Sequence, residues 1–265
     1  MKKKCICITA LGLILLSGCG NAIENNNVTT VEEASTPSVA LSTIEAILPW
    51  NQSIPKEKCN LFEKADLVSY DEGSAQWKND KAMAQLHIKD NMTYLTYQSQ
   101  LGECNDIEFD YIQPKMLANT CFYEADINND GIKELLLSYI QGTGTGYSKG
   151  GMCIYDFEKD KFIPLFSGKE KAYDFTDEQK QDILSVIAEW NTRGFKETEN
   201  VEINNISDIN TSVFNPTLVK SDGQYKIQVE ILLPGADNYK NSKTFYVLFD
   251  YNDGNLKLDS LYCRQ

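Results

Sequence analysis

Histidine is nearly absent from this chain: His87 is the only one among 265 residues. A Ser-His-Asp or Cys-His catalytic arrangement would depend wholly on that side chain. It falls on the polar phase of an alternating segment, which predicts an exposed strand residue. No Cys-x-x-Cys spacing occurs among the eight cysteines, which argues against zinc-type and thioredoxin-like sites. Basic residues are outnumbered, 25 Lys and Arg against 38 Asp and Glu, for a formal charge of −13. No basic patch interleaved with aromatics appears, so nucleic acid is not an expected partner. Long hydrophobic runs are scarce too. The apolar stretch from Cys5 to Leu16 is shorter than the about 20 residues a membrane span needs. Gly142-Thr143-Gly144-Thr145-Gly146 lacks the Gly-Lys-Ser/Thr of a P-loop, and Tyr147 breaks dinucleotide spacing. A mobile hairpin loop is expected there instead.

What is present begins at the amino terminus. Met1-Lys2-Lys3-Lys4 precedes the short apolar run, and small residues lead to Cys19. Basic start, apolar centre and small residues before a cleavage point describe a secretory signal. Leu16-Ser17-Gly18-Cys19 resembles the lipobox of bacterial lipoproteins. That resemblance implies removal of residues 1–18, lipidation of Cys19 and a mature protein anchored to the cell membrane, facing outside the cytoplasm. Two acyl chains suffice for stable anchoring, each buried CH₂ contributing about 0.8 kcal/mol. Losing Lys2, Lys3 and Lys4 with the signal makes the remainder still more acidic. Residues 19–45 then read as a flexible tether. They hold Asn25-Asn26-Asn27, Pro37, several Ser and Thr, and no aromatic, Lys or Arg. Such composition cannot offset its ordering entropy. A tether of that length spans roughly 25–30 Å on average.

The remaining chain predicts an α+β, β-rich fold of antiparallel meanders with one clear amphipathic helix. Residues 46–170 form the expected β-rich part. Ala82, Ala84, Leu86 and Ile88 alternate with polar neighbours, Lys89-Asp90-Asn91 offers a turn, and Met92–Gln98 continues as a second strand. Ile107–Ile112 is a short strand candidate, and Pro114 to Ala118 a helical turn. Cys121–Ala125, Leu135–Ile140, Met152–Phe157 and Phe162–Phe166 are four short apolar runs between polar or glycine-rich turns. Residues 171–265 read as a helix plus a four-stranded antiparallel sheet. Thr176-Asp177-Glu178-Gln179 is a capping box. Ile183, Leu184, Ile187 and Trp190 recur at helical spacing, and Gly194 is a natural stop. Strands are expected near Phe214–Lys220, Gln224–Leu233, Lys243–Tyr251 and Leu256–Tyr262, with Asp222-Gly223 and Asp253-Gly254 as tight turns. A capped helix before a meander resembles the arrangement of NTF2-like domains.

Residues 126–134, Asp-Ile-Asn-Asn-Asp-Gly-Ile-Lys-Glu, carry the strongest chemical motif. Side-chain oxygens fall at positions 1, 3, 5 and 9, and glycine sits at position 6. Hard oxygen ligands at this spacing suit Ca²⁺, which takes six to eight oxygens in a flexible shell. Three carboxylates close together repel, and a divalent cation removes that cost. The loop resembles the start of an EF-hand, but position 12 is Leu137 rather than Glu. Its setting between strand candidates resembles the calcium hairpins of FG-GAP and VCBS-type repeats. That resemblance covers residues 121–166 in a single copy. It implies side-chain ligands from Asp126, Asn128, Asp130 and Glu134, a backbone carbonyl from Ile132, and a structural calcium ion. It also implies that the Gly-Thr loop after the hairpin forms part of a binding rim.

With Cys19 lipidated, Cys59, Cys104, Cys121, Cys153 and Cys263 remain, an odd number. An exported location permits disulfides. Cys121 with Cys153, and Cys59 with Cys104, are the candidate pairs. No catalytic residue is singled out. The expected function is a non-catalytic, calcium-stabilised binding module of a cell-envelope lipoprotein, its partner a protein or a cell-wall ligand. The alternatives are an envelope hydrolase using acidic residues and a docking subunit of a surface assembly.

Overall fold

In a computed structural model of the chain, residues 59–144, 147–169, 172–193, 214–233, 243–252 and 254–263 are described. Cys19, the tether and Gly194 lie outside them. The described residues all fall within one compact unit. Among the described residues the fold is α+β and β-rich, with antiparallel sheets and one long helix.

The first sheet is a meander of β1 (Leu67–Tyr70), β2 (Ser74–Lys78), β3 (Ala82–Lys89), β4 (Met92–Ser99) and β5 (Glu103–Phe109), in chain order. Asp90 and Asn91 both take positive φ, 52° and 62°, between β3 and β4. That is the turn geometry whose twist matches a hairpin, and Asp and Asn tolerate it. Ala84, Leu86, Leu95 and Tyr97 are fully buried, while His87 and Tyr94 sit on the other face. The strand expected over Ile107–Ile112 lies earlier, over Glu103–Phe109. A bulge between Leu95 and Tyr97 of β4, with Asp106 at φ 57° on β5, makes this pairing irregular. The expected helical turn is a 3₁₀ turn over Pro114–Asn119.

The second sheet orders β6 (Cys121–Ala125), β7 (Glu134–Gly144), β8 (Tyr147–Asp156) and β9 (Lys161–Pro164). The expected mobile Gly-Thr loop is largely strand: Gly142 pairs Lys149, Thr143 pairs Ser148 and Gly144 pairs Tyr147. Thr145 and Gly146 lie outside the described residues. A small hairpin, β10 (Ser167–Lys169) and β11 (Ala172–Asp174), leads to helix α1 (Asp177–Thr192). Its capping box is formed: the Thr176 hydroxyl accepts from the Gln179 amide at 3.1 Å, and Gln179 Oε1 accepts from Thr176 N at 2.8 Å. The third sheet is the meander β12 (Phe214–Ser221), β13 (Gln224–Leu233), β14 (Lys243–Asn252) and β15 (Asn255–Cys263).

The second sheet is buried on both faces. Phe122, Leu135, Leu137, Tyr139, Cys153 and Tyr155 share a core with the inner face of the first sheet. Their neighbours in sequence, Tyr123, Leu136, Met152 and Ile154, share another with α1 and the third sheet. Double burial explains why Leu135-Leu136-Leu137 and Met152–Tyr155 are unbroken apolar runs rather than alternating ones. The core does not divide near residue 170. Leu165 and Phe166 pack in the same cluster as Phe175, Ile187 and Phe249.

Candidate calcium loop

The loop of residues 126–134 is held at both ends by the β6–β7 ladder, where Ala125 pairs Glu134. Ile127 is the anchor between them. It is 2% exposed and packs into the core shared with α1 and the third sheet. Gly131 turns the chain at φ 89°, a conformation open to glycine without penalty, and Asn129 helps at φ 59°.

The side chains fold back on the loop's own amides. Asp126 accepts from Asp130 N and Gly131 N, each at 3.0 Å. Asn128 Oδ1 accepts from Asp130 N at 3.1 Å, and its Nδ2 donates to Asp130 at 3.0 Å. Asp130 accepts from Ile132 N at 2.7 Å, and Glu134 from Ile127 N at 3.1 Å. Thus Asp126, Asn128, Asp130 and Glu134 all belong to one hydrogen-bonded turn. Ile132 is 66% exposed. Among the described residues, no three His, Cys, Asp or Glu side chains stand close enough to hold a cation as they are placed. Each oxygen that accepts one N–H keeps a second lone pair. The donor set therefore fits Ca²⁺ in kind, though its oxygens are not gathered as they are placed.

Burial pushes the Glu134 carboxyl above its ordinary pKa, and the charges of Asp130 and Asp126 add to the shift, against the Ile127 amide. Two neighbours were not foreseen from sequence. Tyr251 is raised by burial and then by the charges of Glu134 and Asp156. Asp156 is held low by its hydrogen bond from Lys159, Nζ at 2.6 Å. Asp156 follows Tyr155, the partner of Leu135, so strand register sets it beside Glu134. Only the register of β7 on β8 could have shown this.

The cysteine pairs suggested by sequence are not brought together. Cys121 stands opposite Ser138 and Cys153 opposite Leu137, consecutive positions of β7 that face opposite sides. Cys153 lies in the first core and Cys121 against the second. The same sheet separates Cys104, in the first core, from Cys59, which packs on the second. His87 lies on the face of β3 away from the core, but it is half-buried rather than exposed, its Nε2 3.0 Å from Asp106 and its ring stacked on Tyr94. No protein family, curated protein or solved structure matches the chain.

Proposed function

We propose that this protein is a lipid-anchored component of a bacterial cell envelope, and that its folded part is a non-catalytic binding module stiffened by calcium. The observation that carries the calcium reading is the five-position oxygen pattern Asp126, Asn128, Asp130, Ile132 and Glu134, closed by Gly131 at positive φ. The lipobox-like Leu16-Ser17-Gly18-Cys19 supports the anchor. The strong negative charge supports a partner that is a protein or cell-wall polymer rather than nucleic acid. Calcium would be structural here. It would cross-brace the β6–β7 hairpin, and extracellular modules of this kind work with a Kd of about 10⁻⁴–10⁻³ M.

One preparation tests both parts. Protein recovered from bacterial membranes should begin at a diacylglycerol-bearing Cys19 by mass spectrometry. Its Tm should rise on adding millimolar Ca²⁺, and the Asp126→Ala, Asp130→Ala double variant should lose that rise. An unmodified, unprocessed chain would remove the anchor. No heat on calcium titration and no change in Tm would remove the metal.

A further inference from the structure

Two cysteines meet one edge of the second sheet. β6 comes first in the order β6-β7-β8-β9, and among the described residues no strand pairs with its outer side. Leu61 crosses that side, its amide donating to the Phe122 carbonyl at 2.7 Å. Phe62 packs edge-on against Phe122, centroids 5.5 Å apart, in the first core. Cys121 precedes Phe122 and so faces the other way. It packs against the core shared with α1 and the third sheet, and Cys59, two residues before Leu61, packs against that same core. The backbone hydrogen bond sets the two segments side by side, and both cysteines pack against the core on the same face of that edge. Both residues are half-buried.

Cys104 and Cys153 differ on every count. Each is enclosed in the first core, across the sheet. Burial lifts the Cys104 thiol to about 11 and the Cys153 thiol well above its ordinary value. The thiolate is the attacking species in disulfide exchange, so such thiols stay inert.

We infer that Cys59 and Cys121 are a disulfide-forming pair, closed by a small-molecule or protein disulfide as oxidant. One thiolate attacks a sulfur of the oxidant's disulfide and releases the first leaving thiol. The second thiolate then displaces the oxidant from the mixed disulfide. One S–S bond forms in the chain and one breaks in the oxidant. The two electrons and two protons lost by the cysteines end on the oxidant's two thiols. The resulting loop encloses residues 59–121, and with them all of β1 to β5. It would staple the whole first sheet to the edge of the second. The pairing does not depend on calcium.

The full-length protein in detergent, treated with oxidised glutathione at mildly alkaline pH, alkylated and digested with trypsin without reduction, decides the matter. Peptides 59–64 and 116–133 should appear joined, lighter by two hydrogens than their sum, while the Cys104 and Cys153 peptides stay separate and alkylate only after denaturation. Reduction should then lower Tm by roughly 5 °C or more, and Cys59→Ser should erase that difference. Separate alkylation of the two peptides, a glutathione adduct that goes no further, or a link from 59–64 to any other cysteine would overturn the pairing.

Discussion

Glu134 shows how a single residue can cost stability in one state and supply it in another. Its carboxyl is raised above the ordinary range by burial and by Asp130 and Asp126. The folded state therefore binds its proton more tightly than the unfolded chain does. By linkage, the stability this group contributes is full below the ordinary Glu pKa of about 4.3, and is lost as pH rises through its raised value. At neutral pH without calcium, an ionised Glu134 is an unfavourable neighbour for two other carboxylates. Glu134→Gln should keep the hydrogen bond from Ile127 N, through the amide oxygen, and remove the charge. The metal-free variant should then match or exceed the parent's Tm at neutral pH and lose part of its pH dependence just above the ordinary Glu range. If the proposed calcium site is real, the rise in Tm on adding calcium should shrink, because a neutral oxygen would replace a charged ligand. A variant less stable without calcium and equally responsive to it would show that the carboxylate is only a strut. That Asp126, Asn128 and Asp130 share one hydrogen-bonded turn was legible in sequence, because local spacing sets it. Asp156 was not, because it reaches the loop through strand register, nor was Tyr251, which comes from another sheet.

Elements were legible where a local rule fixes them. The Thr176–Gln179 box marked the start of α1, and Asp90-Asn91 and Asp222-Gly223 marked their hairpins, where positive φ is needed at both turn positions. The Gly-Thr segment was misjudged because glycine suggests loop, whereas here the ladder to β8 carries it on as strand. The contact between sheets was hidden for another reason: it joins residues far apart in the chain. At Gly150 of β8, an added Cβ would lie 2.7 Å from Pro216 Cδ and 3.3 Å from the Tyr139 carbonyl. Beside it, the Ser138 hydroxyl donates to the Pro216 carbonyl. Pro216 sits in an irregularity of β12 where Asn215 takes φ 44°, one of the few strand positions proline tolerates. Gly150→Ala should cost about 1–3 kcal/mol by overpacking this weld. Gly73→Ala, whose Cβ meets nothing closer than 3.6 Å, should be neutral or stabilise by up to about 1 kcal/mol. Urea unfolding of the two variants side by side measures the contrast. Equal effects would mean that β8 and β12 are free to separate at Gly150.

At the scale of the molecule, two cores share one sheet. Leu136 and Leu137 are adjacent on β7, both fully buried, yet Leu136 belongs to the core with α1 and the third sheet and Leu137 to the core with the first sheet. The unbroken apolar runs at 135–137 and 152–155 held that information, since a strand covered on one face alternates and a strand covered on both does not. Which sheet covers which face was not legible, because nothing local distinguishes the two partners. The shared sheet has a thermodynamic consequence. Melting the first sheet would bare one face of β7 and β8, and melting the third would bare the other. Neither layer can leave without exposing the framework of the rest, so the described fold should unfold as one cooperative unit. Leu136→Ala and Leu137→Ala should each destabilise by about 2–4 kcal/mol, and both should move one and the same calorimetric transition. Two independent halves would behave otherwise: Leu137→Ala would lower one transition, Leu136→Ala a second, and the calorimetric enthalpy would exceed the van't Hoff value in the parent protein.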